Sequence, residues 1–152
     1  MNNKFGKEQR TAEFSICVDD VGFILHCLVQ AMEILGMAPI PLAVSAGRYM
    51  GKKHPLELAP TDLKKVVDGV ADSMGPGLEI DAEYESHIAV LHVGKCPLRA
   101  VCRNYKVEIG GELCTLFHHY FAGMVSEHLG RSVRAENISE SNGKCEFHLI
   151  EG

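Results

Sequence analysis

The hydrophobic positions in the first half of the chain recur every three or four residues, which is the spacing of one face of an α-helix. After Asp19 and Asp20, either of which can cap a helix, VGFILHCLVQAMEIL keeps this spacing up to Gly36. The spacing returns in residues 42–53 and in PTDLKKVVDGVADSMGPG, which ends in a Gly-Pro-Gly stop. The first half of the chain therefore predicts three helices.

The second half contains two stretches of alternating apolar and polar residues on either side of one long helical stretch. LEIDAEYESHIAVLHV alternates around a polar turn and predicts a β-hairpin. The longest helix is predicted at about 111–130, and the Asn-Gly pair at 142–143 is a strong signal for a second hairpin. CPLRAVC, before the long helix, has the pattern of a turn. These elements predict an α+β fold in a single domain, 1–152, with an antiparallel sheet of two hairpins packed with four helices.

Length and composition restrict the class of the protein and its partners. The chain has 152 residues, of which 46% are hydrophobic and 23% are charged, so it can build a core of its own. A net charge of −5 without a run of Lys or Arg argues against nucleic acid as a partner. No apolar stretch approaches the roughly 20 residues that span a bilayer, and the polar start lacks a signal core. We therefore expect a cytoplasmic protein with no membrane partner.

The six cysteines are the main candidates for chemistry. In a reducing compartment, clustered cysteines bind metal or undergo redox reactions more often than they form structural disulfides. Cys96 and Cys102 flank a five-residue segment at a spacing that fits no common zinc-finger or ferredoxin pattern. Cys17 and Cys27 have no partner at ligand spacing beyond the adjacent imidazole of His26, so we expect both to pack in the interior.

The long predicted helix places a thiol and an imidazole on one side. Cys114 and His118 are four residues apart, so both side chains can reach one point, which is acceptable geometry for zinc. Burial of Cys114 as a small hydrophobic residue is the alternative. We expect His119 to be solvated. Cys145 begins the last strand on the same face as the apolar residues that follow it, so it should point inward.

The C-terminal third resembles the vinyl-reductase-type (4-vinyl reductase-like) small-molecule-binding domain. The shared features are a cysteine opening a helix, a mid-helix glycine, Leu-Gly-Arg at the helix end, a strand with a glutamate, and Gly-x-Cys-x-Phe. They correspond here to Cys114, Gly123, 129–131, Glu136 and 143–147. The resemblance covers roughly residues 40–150, after an N-terminal arm and helix at 1–36. The arrangement CP…C…GKCEF is also similar to aminothiazoline-carboxylate hydrolase-like proteins.

The resemblance implies a fold shared with haem nitric-oxide-binding and vesicle-tethering proteins, a homodimer, and zinc in some members. The family's zinc ligands carry over to Cys114, Glu136 and Cys145, but the fourth position is Ser139. A neutral hydroxyl is a poor zinc ligand beside thiolates. We therefore expect the remaining ligand of a structural site to be Cys102 or Cys96, with His118 less favoured as a substitute. Zinc is expected rather than iron.

The resemblance also implies an apolar ligand pocket between helices and sheet. We expect it to be lined by aromatic and apolar residues of the long helix and by small residues of the helix near residue 43. These residues are Phe117, Tyr120, Phe121, Met124, Ala43, Ala46, Gly47 and Met50. The predicted function is intracellular binding or sensing of a small apolar or aromatic molecule, and the sequence leaves open whether the protein is also an enzyme.

Three alternatives remain open. The same aromatic residues can simply fill the core. The protein can be a cysteine-dependent hydrolase of the aminothiazoline-carboxylate type, with Cys96 or Cys102 as thiolate and His92 or His118 as its base. It can also be an assembly protein, which predicts an exposed apolar patch and no pocket.

Overall fold

The computed structural model describes residues 21–57, 62–142 and 144–152. These stretches contain five helices, α1 (21–34), α2 (Pro39–Lys53), α3 (Leu63–Ser73), α4 (Pro97–Tyr105) and α5 (Glu112–Leu129). They also contain four strands, β1 (Glu79–Glu85), β2 (Ile88–Lys95), β3 (Val133–Ser141) and β4 (Lys144–Glu151). The helix cap predicted at Asp19 or Asp20 and the packing predicted for Cys17 lie outside the described residues.

The four strands form one antiparallel sheet in the order β1-β2-β4-β3. Each predicted hairpin is present, as β1–β2 and as β3–β4. The second strands of the two hairpins pair with each other, which places Leu91 opposite Phe147 and Ala89 opposite Leu149. The α+β class and the antiparallel sheet of two hairpins are therefore confirmed.

One face of the sheet is covered by α5 and α3 and forms the core. Phe121 of α5 and Phe147 of β4 are both fully buried, and their rings meet edge to face with centroids 5.9 Å apart. Such aromatic pairs add to the stabilisation that burial alone provides.

Helix α3 adds a stripe of valines at helical spacing, Val66, Val67 and Val70. Its first turn is capped by Asp62, whose Oδ1 accepts a hydrogen bond of 2.8 Å from the backbone N–H of Lys65.

Helices α2 and α5 touch through their backbones. A Cβ on Gly47 would lie 2.0 Å from the carbonyl oxygen of Tyr120, and one on Gly123 would lie 2.3 Å from that of Val44. Both distances are far below van der Waals contact, so only glycine permits this approach. Helix α2 begins at Pro39, three residues before the predicted start, because proline at the first helical position has a φ suited to a helix.

The prediction of a turn at CPLRAVC is wrong, because this stretch begins helix α4. Pro97 occupies the first helical position and Cys96 is the N-cap residue. The helix ends at Lys106, whose φ of 56° is left-handed. Its apolar residues at positions 98, 101, 102 and 105 have the spacing of one helix face. A nine-residue helix shows this pattern only once, which is too little to identify a helix from the sequence. The described stretches thus contain five helices where four were expected. None of these helices is long and apolar enough to cross a membrane.

Candidate ligand pocket and thiol group

An apolar pocket of about 410 Å³ lies among α1, α2, α4 and α5. Helix α1 contributes Leu25, Leu28, Val29 and Met32. The opposite walls come from α2, α4 and the first half of α5, and Tyr120 is the one residue among them with a polar group in its side chain. Pockets for small molecules have this character, with mostly apolar walls and few polar groups.

The pocket includes half of the residues expected to line it. Ala43, Ala46, Phe117 and Tyr120 are in its walls. The other four residues lie elsewhere. Phe121 and Met124 are buried in the main core, Gly47 is in contact with α5, and Met50 is 39% exposed.

Helix α5 has apolar residues on more than one face, and this explains why only some of its residues predicted to line the pocket do so. One face of α5 packs on the sheet. The other face, which includes Leu113 and Leu116, lines the pocket. The contribution of α1 was not predicted, although the apolar spacing of that helix was visible in the sequence. Several of its apolar side chains stay exposed, as Ile24 (58%) and Leu28 (55%) show.

Four cysteines lie close together where α4, the start of α5 and β4 meet. Cys102 is 1% exposed, and its thiol is hydrogen-bonded to that of Cys114. Cys114 also accepts a hydrogen bond of 3.3 Å from the backbone N–H of Gly110. Cys96 and Cys145 are within electrostatic range of Cys114. We call Cys96, Cys102, Cys114 and Cys145 the thiol group.

Burial dominates the electrostatics of the thiol group. Burial, together with smaller contributions from neighbouring thiols, raises the pKa of Cys102 to about 12. Burial also raises the pKa of Cys96 and of Cys114. Cys96, Cys102 and Cys114 are therefore neutral near pH 7 when no metal is bound.

A guanidinium group lies beside these thiols. Arg99 of α4 donates hydrogen bonds to the carbonyl oxygens of Gly94 (2.9 Å) and Val93 (3.2 Å). Its Nη2 is also 3.7 Å from Cys145 Sγ, and its charge opposes the rise in the pKa of Cys114. Arg99 thus fastens α4 to β2 and places one positive charge next to the thiol group.

The zinc ligands implied by the resemblance are not all brought together. Cys145 is buried beside Phe147 and Leu149, as predicted for an inward-facing residue. Glu136 lies on the other face of the sheet, opposite His148 and in an ion pair with Arg134, because the strand alternates its side chains. The family's ligand set therefore does not fit this chain. Cys96 and Cys102, in contrast, lie on the same side of the sheet as Cys114 and Cys145.

In the three described stretches, the His, Cys, Asp and Glu side chains as placed form no group of three or more that could hold a metal ion. All five cysteines described there are free thiols. Cys27 is exposed, so the prediction that it packs in the interior is wrong. The helix α1 that carries it is covered on one side only.

Two of the three histidines of α5, His118 and His119, are buried to different degrees. His118 is 3% exposed and its ring stacks on Phe147 with centroids 4.2 Å apart. Burial lowers its pKa to about 4. His119, expected to be solvated, is partly buried, and burial lowers its pKa as well.

The geometry lends no support to a cysteine nucleophile. A catalytic thiol needs a lowered pKa, but burial raises the pKa of both Cys96 and Cys102. His92 faces away from the core, where it contacts Glu83 and Glu146. It is therefore on the wrong side of the sheet to serve as a base for these thiols.

No known protein-family model matches the chain, and no curated protein matches it. The resemblance to the vinyl-reductase-type domain rests on the motif residues of the C-terminal third and stays a prediction.

Proposed function

We propose that this protein binds a small apolar or aromatic molecule in the pocket among α1, α2, α4 and α5. The observation that carries the proposal is the pocket itself, about 410 Å³ in volume with almost entirely apolar walls. Its volume lies within the range of small-molecule sites, roughly 300–1,000 Å³. Burial of an apolar ligand there supplies the binding free energy, and the hydroxyl of Tyr120 is the polar group available to orient it.

The exposed apolar side chains of α1 favour an occupied pocket. Leu25 is 47% exposed and Leu28 is 55% exposed, and both line the cavity. A ligand that contacts them removes their apolar surface from water, at about 25 cal/mol per Å². Ligand binding is therefore expected to draw α1 onto α2 and α5.

Filling the pocket with a larger side chain tests the proposal. Ala46 lines the cavity but is itself exposed at the surface of α2, so an Ala46→Phe variant can place a ring in the cavity without disturbing the core. We expect this variant to bind a fluorescent apolar probe, 8-anilinonaphthalene-1-sulfonate, at least about 10-fold more weakly than wild type. The measurement is a fluorescence titration at constant protein concentration.

The matched control is Met50→Phe, which adds an aromatic ring on the same helix outside the cavity walls. It should bind the probe as wild type does. Equal probe affinity in the Ala46→Phe variant would show that the probe binds elsewhere and would contradict the proposal.

We also propose that the thiol group holds a structural Zn²⁺ ion. The four thiols have the donor chemistry of a closed tetrahedral zinc site, and the guanidinium of Arg99 lies beside them to offset part of the charge of thiolates. As placed they do not surround one point, so zinc binding would draw them together, and it would deprotonate Cys96, Cys102 and Cys114 although burial raises the pKa of each. A closed site leaves no ligand position for substrate, so its role is to fasten α4 and α5 to β4.

Zinc content and thiol reactivity test this site. We expect about one zinc per chain after purification without added metal, and thiols that react fully with Ellman's reagent only after chelation. Serine at Cys27, which is exposed and outside the thiol group, is the control and should leave the zinc content unchanged. Less than about a tenth of a zinc per chain, with all thiols freely reactive, would exclude the site.

A further inference from the structure

The outer face of the sheet carries a second group of potential ligands. On β4, Glu146 is flanked by the buried Cys145 and Phe147, so Glu146 and His148 point away from the core. His92 of β2 is directly opposite Glu146 in the strand register. We call His92, Glu146 and His148 the His-Glu-His group. It lies at the centre of the sheet, since β2 and β4 are the two inner strands.

The carboxylate of Glu146 lies between the two imidazoles. Its Oε2 is 3.4 Å from His92 Nδ1, and its Oε1 is 3.3 Å from His148 Nε2. Two donors in a tetrahedral zinc site, each about 2.0–2.1 Å from the ion, are about 3.3–3.4 Å apart. These contacts, one through each carboxylate oxygen, are an ion pair and a hydrogen bond, and each has a length that two ligands of one ion could also have. The side chains of His92, Glu146 and His148 are 39%, 43% and 25% exposed, so an ion can reach them.

His148 has a hydrogen-bond partner at its other nitrogen, since its Nδ1 is 3.2 Å from the Asn137 side-chain amide. The other nitrogen of His92, Nε2, is 4.0 Å from Glu83 Oε1, which is an ion-pair contact and not a hydrogen bond. With the amide turned, the oxygen of Asn137 accepts the Nδ1–H of His148. Histidines that bind metals almost always have such a partner, which fixes the tautomer and leaves the other nitrogen free for the ion.

A bulge in β3 brings Asn137 to His148. The β3–β4 register shifts between Glu136 and Ser139, and Asn137 has a φ of 52°. This left-handed conformation is uncommon for residues other than glycine, although asparagine tolerates it better than most. Bulges of this kind redirect side chains. Here the bulge places the side-chain amide of Asn137 against the imidazole of His148 and so fixes the tautomer of that histidine.

We propose that His92, Glu146 and His148 bind a divalent transition-metal ion such as Zn²⁺ on the outer face of the sheet. Imidazole and carboxylate ligands suit Zn²⁺, and three protein ligands leave a fourth position for water. As placed, the three side chains do not surround one point. Binding therefore requires the imidazoles to rotate toward each other, which the reach of diagonal neighbours in an antiparallel sheet allows. This site is independent of the pocket and of the thiol group.

Titration of the full chain as purified, with any zinc of the thiol group in place, tests the proposal, and binding of added Zn²⁺ is measured by calorimetry and by NMR of the imidazole protons. We expect one further equivalent of Zn²⁺ to shift the Hε1 signals of His92 and His148. His92→Ala and His148→Ala should each weaken this binding by at least about 100-fold, more than the loss of an outer-shell partner does. The control is His87→Ala, which removes an exposed imidazole from the β1–β2 turn and should bind as wild type.

Two further variants separate a metal site from a merely structural cluster. Glu83→Gln and Asn137→Gly leave all three ligands in place but remove the outer-shell partners. Each should weaken Zn²⁺ binding by about 10- to 100-fold. Glycine suits the left-handed φ at position 137, so the Asn137→Gly variant should fold at least as well as wild type.

Equal Zn²⁺ affinity in wild type and in both histidine variants would overturn the proposal, as would the absence of an imidazole shift in wild type. Co²⁺ identifies the ligands directly, because thiolate ligands give an intense near-ultraviolet charge-transfer band that nitrogen and oxygen ligands do not. If all bound Co²⁺ showed that band in wild type, the ion would belong to the thiol group and the proposal would fail. Pocket-probe binding should be unaffected in every variant.

Discussion

At the scale of single residues, His118 shows how the core changes the chemistry of a side chain. It is almost fully buried, its ring stacks on Phe147, and its Nδ1 has no hydrogen-bond partner in the part of the chain that the structure describes. Burial, with a smaller contribution from the nearby His119, lowers its pKa to about 4. An unfolded chain binds this proton near pH 6.5. The folded state therefore keeps His118 neutral over a range in which the unfolded state is protonated.

This difference predicts acid sensitivity. Above about pH 6.5, His118 is neutral in both states and does not change the stability with pH. Between about pH 6.5 and pH 4 the stability falls, because His118 is protonated in the unfolded state but stays neutral in the native state. A gap of about 2.5 pKa units corresponds to roughly 3 kcal/mol. His118→Phe keeps a ring on Phe147 and should lose much less stability between pH 7 and pH 4.5 than wild type. Urea denaturation at each pH measures this.

The control is His87→Phe, which changes an exposed imidazole of the first hairpin and keeps His118. It should show the acid loss of the wild type. If His118→Phe lost stability with falling pH as steeply as this control, His118 would not be the group responsible.

At the scale of elements, the α2–α5 contact depends on close backbone approach. Gly47 lies against the carbonyl oxygen of Tyr120, and Gly123 lies against that of Val44. This contact fixes the distance between two walls of the pocket. A methyl group at either glycine forces the helices apart, because the neighbouring atoms are backbone and cannot rotate away.

Gly47→Ala should therefore lower the free energy of unfolding by about 1–3 kcal/mol, the usual cost of overpacking. Gly77→Ala is the control, since nothing lies within 4 Å of its added methyl group. That variant should be neutral or slightly stabilising, because alanine restricts the unfolded chain. Thermal and urea unfolding provide both values. A Gly47→Ala protein as stable as the control would mean that α2 and α5 do not approach as closely as described.

At the scale of the whole molecule, the chain is arranged as a sheet with two chemically different faces. The inner face supports the main core, with a smaller apolar cluster of Val101, Cys102, Leu113 and Cys114 beside it. The outer face carries ionisable side chains at its centre. The pocket lies on the far side of α5 from the sheet. The His-Glu-His group thus lies on the opposite face of the sheet from the other two candidate sites, whereas the pocket and the thiol group adjoin each other at Leu98 and Leu113. A homodimer, implied by the resemblance, stays a prediction.

The sequence alone determined the helices and strands that are long enough to show several repeats of their apolar pattern. Two alternating stretches predicted both hairpins, because a strand with one buried face must alternate, and the Asn-Gly pair located the second turn. The sequence also indicated the inward orientation of Cys145. It did not reveal α4, since a nine-residue helix after Cys96 offers too little periodicity and its proline signals a turn equally well.

Only the tertiary structure decided which faces meet. The pairing of β2 with β4 places His92 opposite Glu146, and the pairing of β3 with β4 places Glu136 opposite His148, on the face away from the thiols. Neither pairing can be found from spacing along one strand. The two apolar faces of α5 likewise look alike in sequence, yet Phe121 fills the core and Phe117 lines the pocket. Local patterns fix which element forms and which residues share a face. Long-range packing determines what that face contacts, and the sites of this protein depend on those contacts.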